Sequence, residues 1–324
     1  MRVIVDPVRV DREFDDNALA QVLFGPHNAH LDRIEKELGV ELHARGNAVT
    51  IAGPRNLVAE AEGVLAALYD RARAGKPVEP GDVDSALRMS GHGGVEDLIL
   101  HTRKRHISPR TPTQAEYVRL MQRHELVFGL GPAGTGKTYM AVAMAVQMMI
   151  QGQVDRLILS RPAVEAGERL GFLPGDLREK VDPYLRPLYD ALYDMLPGDQ
   201  VMKRLTSGEI EVAPLAFMRG RTLANSFIIL DEAQNTSPMQ MKMFLTRLGE
   251  HSRMVITGDL SQIDLPSGTP SGLRDCLTVL GDMEGVGVVR FTDRDVVRHN
   301  LVTRIVRAYD QRDRDRKGAE DSRP

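Results

Sequence analysis

Residues 131–138 read GPAGTGKT and fit the pattern G-x-x-x-x-G-K-[ST], with an apolar run directly before them and an apolar helical pattern directly after. Glycines at these positions let the backbone turn so that its N–H groups surround a phosphate. Lys137 can then reach the β- and γ-phosphates, the Thr138 hydroxyl can bind Mg²⁺, and the following helix adds the positive end of its dipole. This order predicts a nucleotide site rather than a chance glycine-rich turn. The predicted phosphate-binding residues are Gly131, Pro132, Ala133, Gly134, Thr135, Gly136, Lys137 and Thr138.

Short apolar runs alternate with helical patterns from residue 114 to 309. Because short apolar strands separated by helices are typical of a buried parallel sheet, the region is predicted to be an α/β domain with helices on both faces. The predicted strands are 126–130, 156–160, 209–212, 227–230, 254–257 and 286–291.

Residues 227–232 read FIILDE, four apolar residues followed by two acids. In open α/β sheets, ligands bind at the carboxyl ends of the strands. We therefore predict that Asp231 holds Mg²⁺ and that Glu232 polarises the attacking water. The alternative is a solvated acidic strand end, which would be the better interpretation without the phosphate loop upstream.

Two glutamines are further candidates for the site. Gln262 follows another apolar strand in the sequence GDLSQ, where its amide can sense the γ-phosphate; the alternative is an ordinary loop amide. Gln114 precedes the first strand, and its amide offers a donor and an acceptor to the adenine edge; the alternative is a helix-cap residue. No Asn-Lys-x-Asp guanine signature is present, so the predicted cofactors are ATP and Mg²⁺.

Composition excludes several classes of protein. A single cysteine, Cys276, cannot form an internal disulfide, and it is expected to be a buried thiol. The N-terminus carries charges every few residues, and no apolar run reaches the roughly 18 residues of a membrane span. A cytoplasmic protein without membrane contact is expected. The net charge of −3 excludes a globally basic nucleic-acid binder.

The rest of the chain is predicted to form three regions. Residues 1–75 follow the order β-α-α-β-β-α, which indicates a small α+β module, with its first strand at residues 2–5. Residues 76–113 are predicted to be a linker with a basic segment, because glycine and proline interrupt them. The ATPase domain occupies 114–309, and the tail, 310–324, has five acids and five bases and is expected to be disordered.

The sequence DEAQ at 231–234, followed by GDLSQ at 258–262, resembles the first RecA-like domain of superfamily 1 helicases. The segments SRPAVEAGE at 160–168, GFLPG at 171–175 and DVVRH at 295–299 more closely resemble the PhoH family of ATPases. The resemblance implies an ATPase of RNA metabolism, helicase-like or RNA-remodelling, that works with an rRNA-processing endoribonuclease. No nuclease domain is visible in the sequence.

The resemblance to helicases also predicts an assembly. Superfamily 1 helicases enclose ATP between two RecA-like domains, and this sequence shows one. We therefore expect a homo-oligomeric ring, a hexamer by analogy with the family, in which a neighbouring subunit supplies an arginine. Arg290 and Arg298 are the candidates, and the alternative for each is a surface ion pair. Arg161 is a third basic candidate, for contact with nucleic acid or the γ-phosphate.

The first module resembles a KH domain, in which a GxxG loop clamps the RNA backbone. Here the loop is Gly25-Pro26-His27-Asn28, and asparagine tolerates the left-handed conformation of the second glycine. Residues 1–80 hold ten bases and thirteen acids, which favours assembly or protein contact as the alternative. Arg103, Lys104 and Arg105 are the other RNA candidates, with a solvated linker as their alternative.

Three functions are compatible with these features. The first is an ATP-driven RNA remodelling motor. The second is a nucleotide-switched assembly factor, in which ATP binding changes the affinity for partners and no strand is moved. The third, a small-molecule kinase, fits poorly because the sequence shows no acceptor-substrate signature.

Overall fold

The computed structural model describes residues 8–90, 98–162 and 177–297, together with Val302, Ile305 and Arg312. The chain divides into two compact units, residues 1–99 with 108–115, and residues 100–107 with 116–324. No helix in the described ranges combines the length and the apolar character needed to cross a membrane.

The first unit has the predicted order β-α-α-β-β-α, and its antiparallel sheet has the order β1-β3-β2. The predicted strand at residues 2–5 lies outside the described residues. The strand β1 occupies Val8–Glu13, which was not predicted, because four charged residues on a mostly exposed edge strand conceal the apolar pattern. The remaining elements are α1 Asn17–Phe24, α2 Ala29–Leu38, β2 Glu41–Arg45, β3 Ala48–Gly53 and α3 Arg55–Arg73.

A fourth helix extends this unit beyond residue 75. The helix α4, Pro80–Met89, buries Val83 completely in the core that α1, α2 and α3 form. It begins with a capping box between Glu79 and Asp82. The helix therefore belongs to the first unit rather than to a linker. The packing of α4 on this unit was not predicted, because the helix presents few apolar residues and Val83 is the one that is fully buried.

A two-stranded hairpin occupies the other part of the predicted linker. Its strands are β4, Leu100–His101, and β5, His106–Ile107, which pair in antiparallel register. The hairpin falls in the second unit. We refer to residues 100–107 as the basic hairpin, because Arg103, Lys104 and Arg105 form its turn.

The second unit is built on a six-stranded sheet with the order β11-β6-β10-β9-β7-β8, in which every neighbouring pair is parallel. All six strands lie at the predicted positions, within two residues at each end. Their bounds are β6 Leu126–Leu130, β7 Arg156–Arg161, β8 Ile210–Pro214, β9 Ser226–Leu230, β10 Arg253–Gly258 and β11 Val286–Arg290. The α/β class predicted from the alternating pattern is confirmed.

Helices cover both faces of the sheet, because α6 and α7 pack on one face and α9 and α10 on the other. Alternate residues of each strand face the two layers, so most strand side chains are buried, and those of the central strands β9 and β10 are buried most completely. The helices are α5 Pro112–Arg123, α6 Lys137–Ile150, α7 Leu177–Met195, α8 Gly198–Ser207, α9 Pro238–Leu245 and α10 Gly272–Leu280. Cys276 is 6% exposed on α10, as expected, and burial raises the pKa of its thiol to about 12.

Candidate nucleotide site

The loop between β6 and α6 has the backbone that a phosphate cradle requires. Gly131, Gly134 and Gly136 have φ values of 140°, 85° and 81°, where a side chain is strained. A β-carbon at Gly131 would collide with the carbonyl oxygen of Phe291 and lie 2.8 Å from the Phe291 β-carbon. The Gly131 N–H donates to the Gly258 carbonyl at 3.0 Å, which joins the loop to the end of β10. Glycine is therefore required at position 131 by packing as well as by conformation.

Lys137 is the first residue of α6 and is 9% exposed. Its Nζ donates to the carbonyl oxygens of Gly131 at 2.5 Å and Pro132 at 2.8 Å. The ammonium group thus lies within the loop, where a phosphate can replace these carbonyls as its acceptor.

Asp231 accepts hydrogen bonds from two hydroxyl groups, one in the first turn of α6 and one near the end of β10. The Thr138 and Thr257 hydroxyls each donate to Asp231 Oδ1 at 2.6 Å, and the carboxylate is 5% exposed. Mg²⁺ prefers oxygen ligands and commonly takes one carboxylate together with substrate phosphates. The Thr138 hydroxyl and the Asp231 carboxylate are therefore a donor set that fits Mg²⁺. Thr257 was not predicted from its sequence position, because it lies beside Asp231 only through the parallel pairing of β10 with β9.

Glu232 lies next to Asp231 in the left-handed conformation, with φ 53°. Its carboxylate accepts a hydrogen bond from Gln234 Nε2 at 2.6 Å on Oε2, while Oε1 lies 3.4 Å from Arg161 Nη2. A non-glycine residue at positive φ is strained, and such strain persists where the surroundings hold it. The conformation turns the Glu232 carboxylate into the pocket beside the phosphate loop.

Gln234 connects the end of β9 to the loop after β10. Its fully buried amide donates to the Gln262 carbonyl at 3.1 Å and accepts from the Asp259 N–H at 3.0 Å. The Gln262 side chain lines the pocket, and its Nε2 donates to Asp259 Oδ2 at 2.7 Å. Glu232 after β9 and both Asp259 and Gln262 after β10 are thus held by one set of hydrogen bonds.

The pocket has a volume of about 640 Å³, and the helix α7 forms one wall of it. No sequence motif indicated this wall. Tyr139, on α6, donates to Asp194 Oδ2 at 2.6 Å, and Arg105 of the basic hairpin pairs with Asp194 Oδ1 at 2.6 Å. The lining residues on α7 are Pro187, Asp190, Ala191 and Asp194.

The basic hairpin rests on α7. Lys104 Nζ donates to the Tyr193 carbonyl at 2.8 Å, and the Lys104 N–H donates to the Met195 carbonyl at 3.1 Å. Arg103 is exposed at the turn. Residues 100–107 of the predicted linker therefore form a hairpin attached to a wall of the pocket.

Tyr117, on α5, lies beneath the strand that leads into the phosphate loop. A β-carbon at Gly129 would be 2.8 Å from the Tyr117 hydroxyl, so the ring fills the space that a side chain on β6 would need. Burial, and to a smaller extent the Asp231 carboxylate, raise the pKa of the Tyr117 hydroxyl far above its ordinary value. The hydroxyl therefore stays protonated.

Of the three remaining predicted residues, the structure describes Gln114 and Arg290. Gln114 is buried in the first turn of α5, where its Oε1 accepts from the Arg110 N–H at 2.7 Å, and its adenine contact stays a prediction. Arg290 is exposed at the end of the edge strand β11. Arg298 lies outside the described residues.

The Gly25–Asn28 loop of the first unit has the predicted backbone. Asn28 has φ 63°, the left-handed conformation expected for it, and His27 has φ 52°. A β-carbon at Gly25 would be 2.7 Å from the His30 ring, whose Nδ1 lies 2.9 Å from the Leu23 carbonyl oxygen. The loop is exposed, and RNA binding by it stays a prediction.

Comparison with known proteins gives the family. The family model described as "PhoH-like protein" matches residues 106–310. A "PhoH-like protein" of Mycobacterium tuberculosis is 51% identical over 89% of this chain and 84% of its own length. One of Bacillus subtilis is 48% identical over 91% of this chain and 95% of its own. "Protein PhoH" of Escherichia coli is 45% identical over 73% of this chain and 68% of its own.

A solved structure, a SWI2/SNF2 ATPase core of Sulfolobus solfataricus in complex with dsDNA, matches 60% of this chain and 45% of its own at 14% identity, with a TM-score of 0.34. That similarity is too low to carry a conclusion.

Proposed function

Because the chain belongs to the PhoH-like family and its second unit is a P-loop domain of the ATPase type, we propose that it binds ATP with Mg²⁺ and hydrolyses it. The observation that carries the proposal is the 2.6 Å contact between the Thr138 hydroxyl and Asp231. It brings the end of the phosphate loop and the acidic end of β9 together, as metal-assisted phosphoryl transfer requires.

Each residue has a distinct part in this reaction. The loop N–H groups and Lys137 bind the phosphates, and Thr138 and Asp231 hold the metal. Glu232, oriented by Gln234, accepts a proton from the attacking water. Bound Mg²⁺ would neutralise charge on the phosphate oxygens. Thr257 fixes the Asp231 carboxylate by donating to the same oxygen that the Thr138 hydroxyl contacts.

The test is ATP hydrolysis by the wild-type protein and by Lys137→Ala. Lys242→Ala, which removes an exposed lysine on α9, is the matched control. We expect Lys137→Ala to lose nucleotide binding and turnover while Lys242→Ala retains both. Full activity of Lys137→Ala would refute the assigned site.

The protein is further proposed to act in RNA metabolism, as a helicase-like or RNA-remodelling ATPase that works with an rRNA-processing endoribonuclease. The exposed Arg103 and the contacts of Lys104 and Arg105 with α7 support this, because RNA at the basic hairpin would lie against a wall of the nucleotide pocket. RNA should stimulate ATP hydrolysis, and Arg103→Ala should reduce this stimulation more than Arg274→Ala does. No stimulation by any RNA or by the nuclease would contradict the proposal.

A homo-oligomeric ring, in which Arg290 or Arg298 completes a neighbouring site, is the proposed assembly. The exposure of Arg290 at the end of the edge strand β11 supports it. Light scattering gives the number of subunits. Mixing inactive Lys137→Ala with inactive Arg290→Ala or Arg298→Ala should restore activity if the arginine acts across the interface, and no restoration would contradict this role.

A nucleotide-switched assembly factor is the alternative outcome of these experiments. It would form ATP-dependent complexes that survive Glu232→Gln, because binding rather than hydrolysis would be the signal.

A further inference from the structure

Arg161 ends β7, the strand next to β9, and so lies beside Glu232. Its two terminal nitrogens have different partners. Nη2 is 3.4 Å from Glu232 Oε1, and Nη1 donates to the Tyr184 carbonyl of α7 at 3.0 Å. One guanidinium therefore connects the acid proposed to activate water with the helix that forms a wall of the pocket.

The charge balance of the pocket gives Arg161 a further importance. Among the described residues that line the pocket, the basic ones are Lys137 and Arg161. The acidic ones are Asp190, Asp194, Asp231, Glu232 and Asp259. A nucleoside triphosphate adds more negative charge to a site that is already acidic, and phosphoryl transfer needs cations around the transferring group. Lys137 follows the phosphate loop, whereas Arg161 ends β7 and lies beside Glu232, so the two cations approach the pocket from different elements.

We propose that Arg161 contacts the γ-phosphate from within the same chain, and that Glu232 holds it in place while the site has no nucleotide. This inference rests on the proposed ATPase function. It assigns to the chain itself a cation for the transition state, in addition to any arginine that a neighbouring subunit contributes.

Exchange of partners is feasible because the ion pair is weak. The two side chains are 22% and 37% exposed, and ion pairs of this kind contribute little to stability. When a triphosphate enters, the Arg161 guanidinium moves from Glu232 to the γ-phosphate oxygens. Glu232 keeps its hydrogen bond from Gln234 and gains an unobstructed oxygen for water.

The hydrolytic step then follows. The water oxygen bonds to the γ-phosphorus, and its proton passes to Glu232. The bond from the γ-phosphorus to the bridging oxygen breaks, and its electron pair stays on ADP. Arg161 stabilises the charge on the transferring group in this step.

The test compares a ligand that has a γ-phosphate with one that lacks it. Affinities for AMP-PNP and ADP are measured by calorimetry with Mg²⁺, for the full-length wild-type protein and for Arg161→Gln and Arg161→Lys. The matched control is Arg156→Gln, on the same strand, where the arginine Nη2 donates to the Ala224 carbonyl at 3.3 Å.

Arg161→Gln should bind AMP-PNP about 10- to 100-fold more weakly, the size of a lost charged hydrogen bond, with unchanged ADP affinity. Its kcat should fall by on the order of 10²- to 10³-fold. Arg161→Lys should recover part of both losses, and Arg156→Gln should match the wild-type protein.

Two results would overturn the inference while the ATPase function stands. One is an unchanged ratio of AMP-PNP to ADP affinity in Arg161→Gln, and the other is an equal loss of both ligands, which would indicate a structural role. Failure of the proposed function itself has a different signature, because Lys137→Ala would then bind AMP-PNP as well as the wild-type protein does.

Discussion

Each unit of this protein has a loop that begins with glycine and joins two elements, but the two loops differ in their surroundings. Three other parts of the second unit meet the loop at residues 131–136. They are the end of β10, the two carboxylates after β9, and the helix α7. At Gly25–Asn28, the close packing is local, because Gly25 lies against His30 of the next helix. Both loops therefore contain glycine at a positive φ, but one lines a pocket built from several elements and the other is an exposed turn.

This difference shows what a glycine motif can predict. The strength of the 131–138 prediction comes from separate segments, DEAQ and GDLSQ, that have no reason to be present unless they share a site. The Gly25–Asn28 loop has no such second segment, and its unit has an excess of acids. Its backbone conformation was predictable, whereas its ligand was not.

The largest effect is expected from Gly131→Ala. The new β-carbon would collide with the Phe291 carbonyl at a strained φ, so the free energy of unfolding should fall by about 2–6 kcal/mol. Nucleotide binding should be lost in the protein that remains folded. Urea denaturation and nucleotide titration measure the two effects.

Gly152→Ala is the control for Gly131→Ala. Gly152 has φ 69° with nothing within 4 Å of its β-carbon position, so that variant should lose only about 1–2 kcal/mol and keep ATP binding. If Gly131→Ala and Gly152→Ala lost the same unfolding free energy and bound ATP equally well, the close contact of Gly131 with Phe291 would not be what requires glycine there.

Glu232→Gln should separate binding from turnover. Its amide cannot accept the proton of the attacking water, so kcat should fall by about 10²- to 10⁴-fold while ATP affinity is retained. Steady-state kinetics and an equilibrium titration measure this, with the exposed Glu250→Gln as the control. Turnover at the wild-type rate would assign the base to another residue.

A smaller and local effect is expected from Gly25→Ala. Contact with the His30 ring and the left-handed φ of 73° should destabilise the first unit by about 1–3 kcal/mol. ATP hydrolysis without RNA should be unchanged below the unfolding transition. Gly46→Ala, in the open turn before β3, is the control. If Gly25→Ala lowered ATP hydrolysis in the absence of RNA, the Gly25–Asn28 loop would affect the nucleotide site and not only the stability of the first unit.

The smallest effect is expected from Asn28→Gly. Relief of the left-handed strain and the greater freedom of glycine in the unfolded chain oppose each other, so stability should change by less than about 0.5 kcal/mol. Thermal unfolding measures this. A large loss of stability would show that the Asn28 side chain, and not only its backbone, holds the loop.

Features that lie within one short segment could be predicted from the sequence. The six strands of the second unit and the phosphate loop are contiguous patterns, and the structure has them at the expected places. Thr257 could not be predicted as a partner of Asp231, because it reaches that carboxylate only through the strand order, in which β10 lies between β6 and β9.

Two other features were missed for related reasons. The helix α7 carries no motif, and its place at the pocket depends on packing across the sheet. The basic hairpin is too short to show alternation, and its polar residues bond to carbonyl groups of α7, which no side-chain pattern reveals. Residues 80–89 were wrongly assigned to a linker for the same reason. The helix α4 is held in the first unit by tertiary packing, in which Val83 is its one fully buried side chain.

The two contacts of Asp194, with Arg105 and with Tyr139, have a consequence for how this sequence can change over time. Asp194 uses one carboxylate oxygen for each partner, so a substitution at position 194 removes one contact from Arg105 and one from Tyr139. Changes at these positions, far apart in the chain, are expected to be inherited as a set. A relative that lacks the acid at 194 should therefore also differ at 105 and at 139.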